Sequence, residues 1–344
     1  MLNDLLQLRG PGGQEDEVRE YCEIVIKKNA DDVFIDEAGN LIALLKGKKN
    51  SSPIRLVSHL DELSLIVKRV EEDGRLAVQP IGGVFPFDIG QGPVDILGDK
   101  KVLPGVLSAP SIHTTIETAA RWRTMPDGGN KARNWEDTFI FTGKTPSDLA
   151  SVGVYPGTRV VIAKVRRKPF DISPYIGGYF MDNRAAVAIQ LQLWAELYQQ
   201  KKRTFPDLYA VFSTEEESGC HGASYASRIL PGEVTIAIDV APSEKEYGIE
   251  MNDQPVIVYQ DRVSLYTKSL SDALVEAAYK VNLKPQTAVL GRYASDASYS
   301  KHYGQAAQAA LVCIPTMNTH GYEIIHSKSI ENCIKLLKAF FLNL

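Results

Sequence analysis

Three glutamates stand in a row in VFSTEEESGCHGA, Val211 to Ala223, directly behind an apolar run. Adjacent carboxylates repel one another, and a solvated turn needs only one or two of them. Other metal-type ligands stand in matching places: His59 and Asp61 after IRLVS, Asp239 at the end of VTIAI, His320 after AALVCIPTMNT, and Asp182 in YFMDNR ahead of a long helical stretch. In open parallel sheets, ligands collect at the carboxyl ends of the strands, where the loops converge. One histidine at a strand end would be unremarkable; five such positions in one domain point to a metal centre.

Histidine and carboxylate ligands without cysteine suit zinc, cobalt or manganese rather than a cysteine-rich structural zinc site. Two ions held close together repel, so they need a shared anion, and Asp182 is the candidate bridge. With Glu217 and His320 on one ion and His59 and Asp239 on the other, each has three protein ligands and room for a shared water. Glu216 then stays off the metal and takes the proton from the metal-bridging water as general base. Glu215 is left as a solvated or supporting carboxylate. Taken singly, Asp182 reads as a helix N-cap, and His59 and His320 as hydrogen-bonded loop histidines; the ordered set outweighs those readings. His221, His302 and His326 show no such pattern and read as surface or capping residues.

The elements that must position these groups follow from periodicity. Residues 15–29 carry apolar residues at Val18, Tyr21, Cys22, Ile24 and Val25, a helical stripe. Short β-rich runs follow in DVFIDE, LIALLKG and IRLVSHLDE. From about Val70 to Lys164 the chain has many short strands broken by Gly and Pro, with no long helix, as in a small β-barrel or sandwich. From Asp182 onward helix and strand alternate: DNRAAVAIQLQLWAELYQQ, LYAVFS, GASYASRIL, VTIAID, a helix around Ser271–Val281, AALVCIP and the closing SIENCIKLLKAFFLNL. The expected fold is α/β: a mostly parallel sheet sandwiched by helices, formed by residues 1–69 and 166–344, with an all-β barrel-like domain inserted over 70–165.

Composition narrows the function classes. Hydrophobic residues at 44% and charged residues at 23% are ordinary for a globular protein with a sizeable core. A net charge of -4 gives no electrostatic footprint for nucleic acid or anionic lipid. No apolar run approaches the roughly 18 residues of a membrane span, and the amino terminus lacks a basic and apolar leader pattern. Cys22, Cys220, Cys313 and Cys333 are scattered without a paired motif, which suits reduced thiols in the cytoplasm.

SHLDE, MDNR, EEESGCHGA, IDV and THGYE together resemble the di-metal aminopeptidases of the glutamyl-aminopeptidase and tetrahedral (TET) aminopeptidase family, metallopeptidase family forty-two. LRGPGGQEDEV and DEAGNLIALLKG are similar to that family's opening, so the resemblance covers nearly the whole chain. It implies His59, Asp182, Glu217, Asp239 and His320 as ligands of two divalent ions per subunit, zinc first and cobalt second, with Glu216 as base. SGCHGA sets the glutamate register, and Asp61 takes the place of the aspartate that orients the first histidine. The resemblance also implies short peptide substrates and a homo-oligomer, dimers built into dodecamers through the inserted domain, which would also control substrate access.

Two stretches depart from the family pattern, APSIHTT and RYASDASYS, so the preferred amino-terminal residue and the size of the assembly stay open. Arg292 and Asp296 in the second, and His113 in the first, are candidates for substrate contact. Two rivals remain. A zinc-dependent deacylase or dipeptidase of the carboxypeptidase G-like kind shares these ligand types, but there the first histidine and bridging aspartate lie close in sequence. Here 123 positions, holding the β insertion, separate His59 from Asp182. A non-catalytic assembly protein would show a lost ligand or base, and none is lost. A glycosidase working with two carboxylates would not need the two histidines.

Overall fold

The computed structural model describes residues 1–48, 51–111, 134–200, 203 and 205–344; His113 lies outside them. Two compact units emerge, one of Met1–Glu62 with Pro169–Leu344 and one of Leu63–Lys168. The strands run, in chain order, β1 (Asp32–Ile35), β2 (Leu41–Leu45), β3 (Ile54–His59), β4 (Ser64–Val70), β5 (Leu76–Ile81), β6 (Gly92–Leu97), β7 (Val102–Ser108), β8 (Phe139–Phe141), β9 (Arg159–Ile162), β10 (Phe170–Ile172), β11 (Tyr175–Tyr179), β12 (Leu208–Ser213), β13 (Val234–Pro242), β14 (Val256–Asp261), β15 (Gln286–Leu290), β16 (Gln308–Met317) and β17 (Tyr322–His326).

In the first unit the sheet order is β1-β2-β12-β3-β13-β16-β17-β11-β10, with β14 on β16 and β15 on β14. The central strands β12, β3, β13 and β16 are parallel, as the alternation of helix and strand predicts. Outside them β1, β2, β17, β11 and β10 add antiparallel edges, so the sheet is mixed. Every residue of β3 is buried, as expected of a strand covered on both faces.

The helix Met181–Tyr198 is buried on nearly all sides, from Ala185 and Ala186 through Trp194, so it lies between sheet and outer helices rather than at the surface. The amide of Gln190 donates to Leu56 O at 3.1 Å and Val211 O at 3.3 Å, which ties this helix to β3 and β12. The helix Ser329–Leu342 packs on it and on Lys268–Lys280, while His221–Ile229 and Asp296–His302 pack together against β12, β13 and β16. None of the described helices is long and apolar enough to cross a membrane.

The second unit is a closed barrel in the order β4-β5-β8-β7-β6-β9. It begins at Leu63 and ends at Lys168, so β4 belongs to the barrel as a whole, several residues before the position where the Gly/Pro-rich texture becomes visible.

Candidate active site

The ladder between β3 and β13 runs only from Ile54 with Val234 to Val57 with Ala237. Beyond that pair the two strands part, and the side-chain amide of Asn183 donates to Ile238 O at 3.0 Å in the opening. His59 and Asp239 therefore stand on either side of a crevice at the strands' carboxyl ends, where Ser213, the last residue of β12, is in register with His59. Non-glycine residues in left-handed backbone flank this place, among them Phe180 (φ 67), Glu215 (φ 53), Cys220 (φ 55) and His320 (φ 69). Such conformations cost about 1–3 kcal/mol each and gather at functional sites.

His59 Nε2 lies 3.0 Å from Asp182 Oδ1. The second oxygen of Asp182 lies 3.7 Å from His320 Nε2, which in turn is 3.8 Å from Glu217 Oε2. Ligand atoms of His59, Asp182 and Asp239 all fall within 4.8 Å of one another, as do those of Asp182, Glu217 and His320. Asp182 belongs to both sets, and its carboxylate caps no helix. Two donors of one tetrahedral zinc stand about 3.3 Å apart, given metal–ligand bonds of about 2.0–2.1 Å; the separations here bracket that value. Glu217 Oε1 is buried without a hydrogen-bond partner, a costly state unless a cation takes it up. Glu216 Oε2 is 4.0 Å from His59 Nε2; Glu216 stands outside both sets, grouping with His59 and Glu217 on one side and with Cys220 and Asp296 on the other. The residues present fit a divalent metal centre.

The supporting contacts are as informative as the ligand-type groups. Asp61 is fully buried, and its two oxygens accept from the backbone N–H of Glu216 at 2.9 Å and of Glu217 at 3.0 Å. Its Oδ1 also lies 3.4 Å from His59 Nδ1, which sits 3.2 Å from Asp61 O. One carboxylate thus fixes the histidine and both glutamates. Glu323, not singled out by its sequence, does the same across the sheet: Oε2 accepts from Asp182 N at 3.0 Å and Oε1 from His320 N at 3.2 Å. Buried Glu15 accepts from Gly13 N at 2.8 Å and Glu215 N at 3.2 Å, tying the amino-terminal loop to the glutamate run. The loop is closed by Asn40, whose amide donates to Gly222 O at 2.9 Å and whose oxygen accepts from Thr214 N at 3.0 Å. A Cβ on Gly222 would lie 2.3 Å from Asn40 Oδ1, which explains the second glycine of SGCHGA. Arg184, of MDNR, donates to Leu60 O and pairs with Glu62 at 2.8 Å, fully buried, holding the loop that carries Asp61.

Electrostatically the site holds more negative charge than its histidines can balance. Burial pushes Glu216 well above the usual carboxylate range; His59 opposes, while Asp296, Glu217 and Asp239 add to the rise. Glu217 is raised well above it by burial and by Asp182. Asp239 is pushed up to about 7 by burial and Asp182, against His59 and a hydrogen bond from the Tyr293 phenol. Asp182 moves the other way: burial resists its charge, but the His59 hydrogen bond and the charges of His59 and His320 hold it low. Burial disfavours charge on His59, yet its bonds to Asp182 and Asp61 keep it protonated well above its ordinary range. A bound cation carries the largest local charge in such a nest and inverts these shifts.

The substrate candidates are placed differently from one another. Asp296 is buried at the start of its helix, with Oδ2 accepting from Ser213 Oγ at 2.5 Å, and it groups with Glu216 and Cys220. Arg292 is exposed on the turn after β15 and joins none of the ligand clusters. His302 and His326 stack edge-on against Tyr303 and Tyr175, away from the cluster.

A helix-sandwiched mixed sheet bearing this cluster at the carboxyl ends of its central strands, in a chain that also carries a closed barrel, has the zinc-peptidase-like α/β architecture, and the family and relatives of the chain make it a peptide hydrolase. The sequence profile of the M42 glutamyl aminopeptidases matches residues 39–336, and the chain belongs to that family. It is 26% identical over 353 residues to a lysyl aminopeptidase of Pyrococcus furiosus, covering 98% of this chain and 95% of that one. Among solved structures it superposes on a TET aminopeptidase from a marine-sediment Thaumarchaeota archaeon with a TM-score of 0.88 at 22% identity, covering 99% of this chain and 95% of the other. The Pyrococcus horikoshii TET1 peptidase matches with a TM-score of 0.87 at 23% identity, over 100% and 98% of the two chains.

Proposed function

We propose that this aminopeptidase removes the amino-terminal residue of short peptides with two divalent cations, His59, Asp182 and Asp239 holding one and Asp182, Glu217 and His320 the other. The observation that carries the reading is the pair of ligand sets sharing Asp182, with Glu216 outside both. When bound, the metals polarise the scissile carbonyl and ease deprotonation of the attacking water. Glu216 takes a proton from that water and delivers it to the departing amine. Asp61 fixes the backbone of Glu216 and Glu217 through their N–H groups, so the two side chains start from set positions. The surrounding carboxylates favour a substrate's free α-ammonium group beside the scissile bond, which distinguishes an aminopeptidase from a deacylase. Zinc is the first expectation and cobalt the second.

We further propose a homo-oligomer whose contacts come largely from the barrel unit, which would also govern substrate access. The P. horikoshii TET1 peptidase can assemble into a tetrahedron or a large octahedral shell. On this chain's barrel Phe87 is 91% and Phe85 66% exposed, two neighbouring aromatics that a partner subunit would cover. A cytoplasmic peptidase endangers other chains unless its site is sequestered, and a shell admitting only short peptides meets that need.

Neighbouring substitutions test the chemistry. Glu216→Gln should keep its metal while kcat falls by at least about a hundredfold; Glu217→Gln should lose metal under dialysis as well. The opposite pattern would move the base to Glu217, and full activity after exhaustive chelation would overturn the metal mechanism.

A further inference from the structure

Beside the general base lies a second constellation, in which Glu216 is joined by two groups the reaction does not use, Cys220 and Asp296. Cys220 Sγ donates to Glu216 Oε1 at 3.2 Å. The carboxylate of Asp296 offers an oxygen to the same point: ligand atoms of Glu216, Cys220 and Asp296 fall within 4.8 Å of one another. Asp296 is only 3% exposed, and while Ser213 satisfies one of its oxygens, Oδ1 is buried without a hydrogen-bond partner. An orphaned buried carboxylate oxygen is expensive, and a cation is the group that would satisfy it. Cys220 also sits at the N-cap of the helix His221–Ile229, but burial and the carboxylates of Glu216 and Asp296 push its thiol well above the usual range, so a bound cation is needed to draw off its proton.

We propose that Glu216, Cys220 and Asp296 form an inhibitory site for a soft divalent cation, Zn²⁺ in excess or Cd²⁺, separate from the ions that support turnover. In a tetrahedral zinc site with Zn–S of about 2.3 Å and Zn–O of about 2.1 Å, sulfur and oxygen stand about 3.6 Å apart, close to the separation found here. The ion takes the place of the thiol proton, which leaves to solvent, and binds the thiolate and the two carboxylates. Glu216 is then neutralised and cannot accept a proton from water, so occupancy stops turnover without displacing substrate. The thiolate sets the preference: Cd²⁺ and Zn²⁺ bind, Mn²⁺ and Mg²⁺ do not.

The binding claim stands on geometry alone, whereas its inhibitory consequence rests on Glu216 being the base; the test separates the two. Enzyme reconstituted with Zn²⁺ to full activity and then freed of excess Zn²⁺ by gel filtration is titrated with Cd²⁺, following the thiolate-to-Cd²⁺ ultraviolet charge-transfer band, and hydrolysis of an aminoacyl amide in parallel. The expected result is a band that rises with Cd²⁺ while activity falls, with Mn²⁺ producing neither. Cys220→Ser should abolish the band and raise the Cd²⁺ concentration for half-inhibition, relative to its own uninhibited rate, by at least about tenfold, the scale of one lost metal ligand. Asp296→Asn retains the thiol and should weaken the band's apparent affinity by a similar factor, which covers the case of a Cys220 variant that does not fold. A band with matching affinity but undiminished activity would uphold the site and remove Glu216 as base. Absence of the band, or Cd²⁺ inhibition equal in wild type, Cys220→Ser and Asp296→Asn, would overturn the proposal.

Discussion

Asp61→Asn changes one atom in the most densely used carboxylate of the site. The aspartate gives one oxygen to each of two backbone N–H groups, those of Glu216 and Glu217, in a fully buried position. Asparagine has a single acceptor, so one of those N–H groups must face an amide NH₂. The loss is one charge-assisted hydrogen bond, about 1.5–3 kcal/mol, plus a buried unsatisfied donor, about 1–3 kcal/mol, so ~2.5–6 kcal/mol in all. A second effect opposes it. The Asp61 charge helps raise Glu217, Asp296 and Glu15, so removing it relieves repulsion in the metal-free protein. Bound cations cancel that repulsion and remove the relief. The substitution should therefore cost more in the metal-loaded protein than in the metal-free one. A difference of about 2 kcal/mol corresponds to metal binding weakened ~30-fold, by linkage. Urea unfolding with and without chelator, with a chelator-competition measurement of metal affinity, reads both quantities. Equal losses in both states with unchanged metal affinity would reduce Asp61 to a structural residue. Absence of any loss would show that the two N–H groups are not held as described.

Three further outcomes follow from the same geometry. Asp239 is raised from its ordinary 3.8 to about 7, and Glu216 and Glu217 are raised too, so the metal-free fold binds more protons than the unfolded chain. Stability from these groups is therefore full below about pH 4 and is lost as pH rises through about 7, ~4 kcal/mol from Asp239 alone. Thermal melts should show metal stabilisation growing between pH 5 and 8, and a pH-independent gap between loaded and chelated protein would contradict this. Glu323→Gln leaves one of the two N–H groups of Asp182 and His320 without its carboxylate and should weaken metal retention about 10–100-fold, measured by dialysis against chelator. Phe85→Ser with Phe87→Ser should shift sedimentation to smaller species while leaving the melt of the subunit within about 0.5 kcal/mol, as expected for exposed positions; an unchanged distribution would place the contacts elsewhere.

The parts of the fold that the sequence makes legible are those where chemistry or burial restricts the residue type. The parallel centre follows from apolar runs alternating with helical stripes, and its carboxyl ends are marked by residues that few other roles demand: two histidines and a bridging-type aspartate. Antiparallel β17 carries Tyr322 and His326 at its ends and pairs with β11, whose own sequence is short and glycine-rich; neither has the apolar run that advertises a covered strand. The barrel's first strand continues LDELSLIVKRV without a break in texture, so the boundary at Leu63 leaves no local signal. Positioning residues are legible mainly through the family's motifs, as Asp61 is in SHLDE, and their individual roles are not. Glu246 is exposed on a short turn, whereas Glu323 is 1% exposed and holds the backbone of two ligand-bearing loops. As letters they are identical. What separates them is that Glu323 accepts from backbone N–H groups, which every non-proline residue possesses, so its partners impose no residue type or spacing that could be read. The same holds for Glu15 beside Glu215, and for Asn40, whose role shows only indirectly, in the glycine that must pass it at Gly222. Groups that react are confined by their chemistry to a few residue types, but groups that hold them are confined only by where the chain returns in space. A variant scan limited to the proposed ligands and base would pass over Glu323 and Glu15, although both hold the backbone beside them.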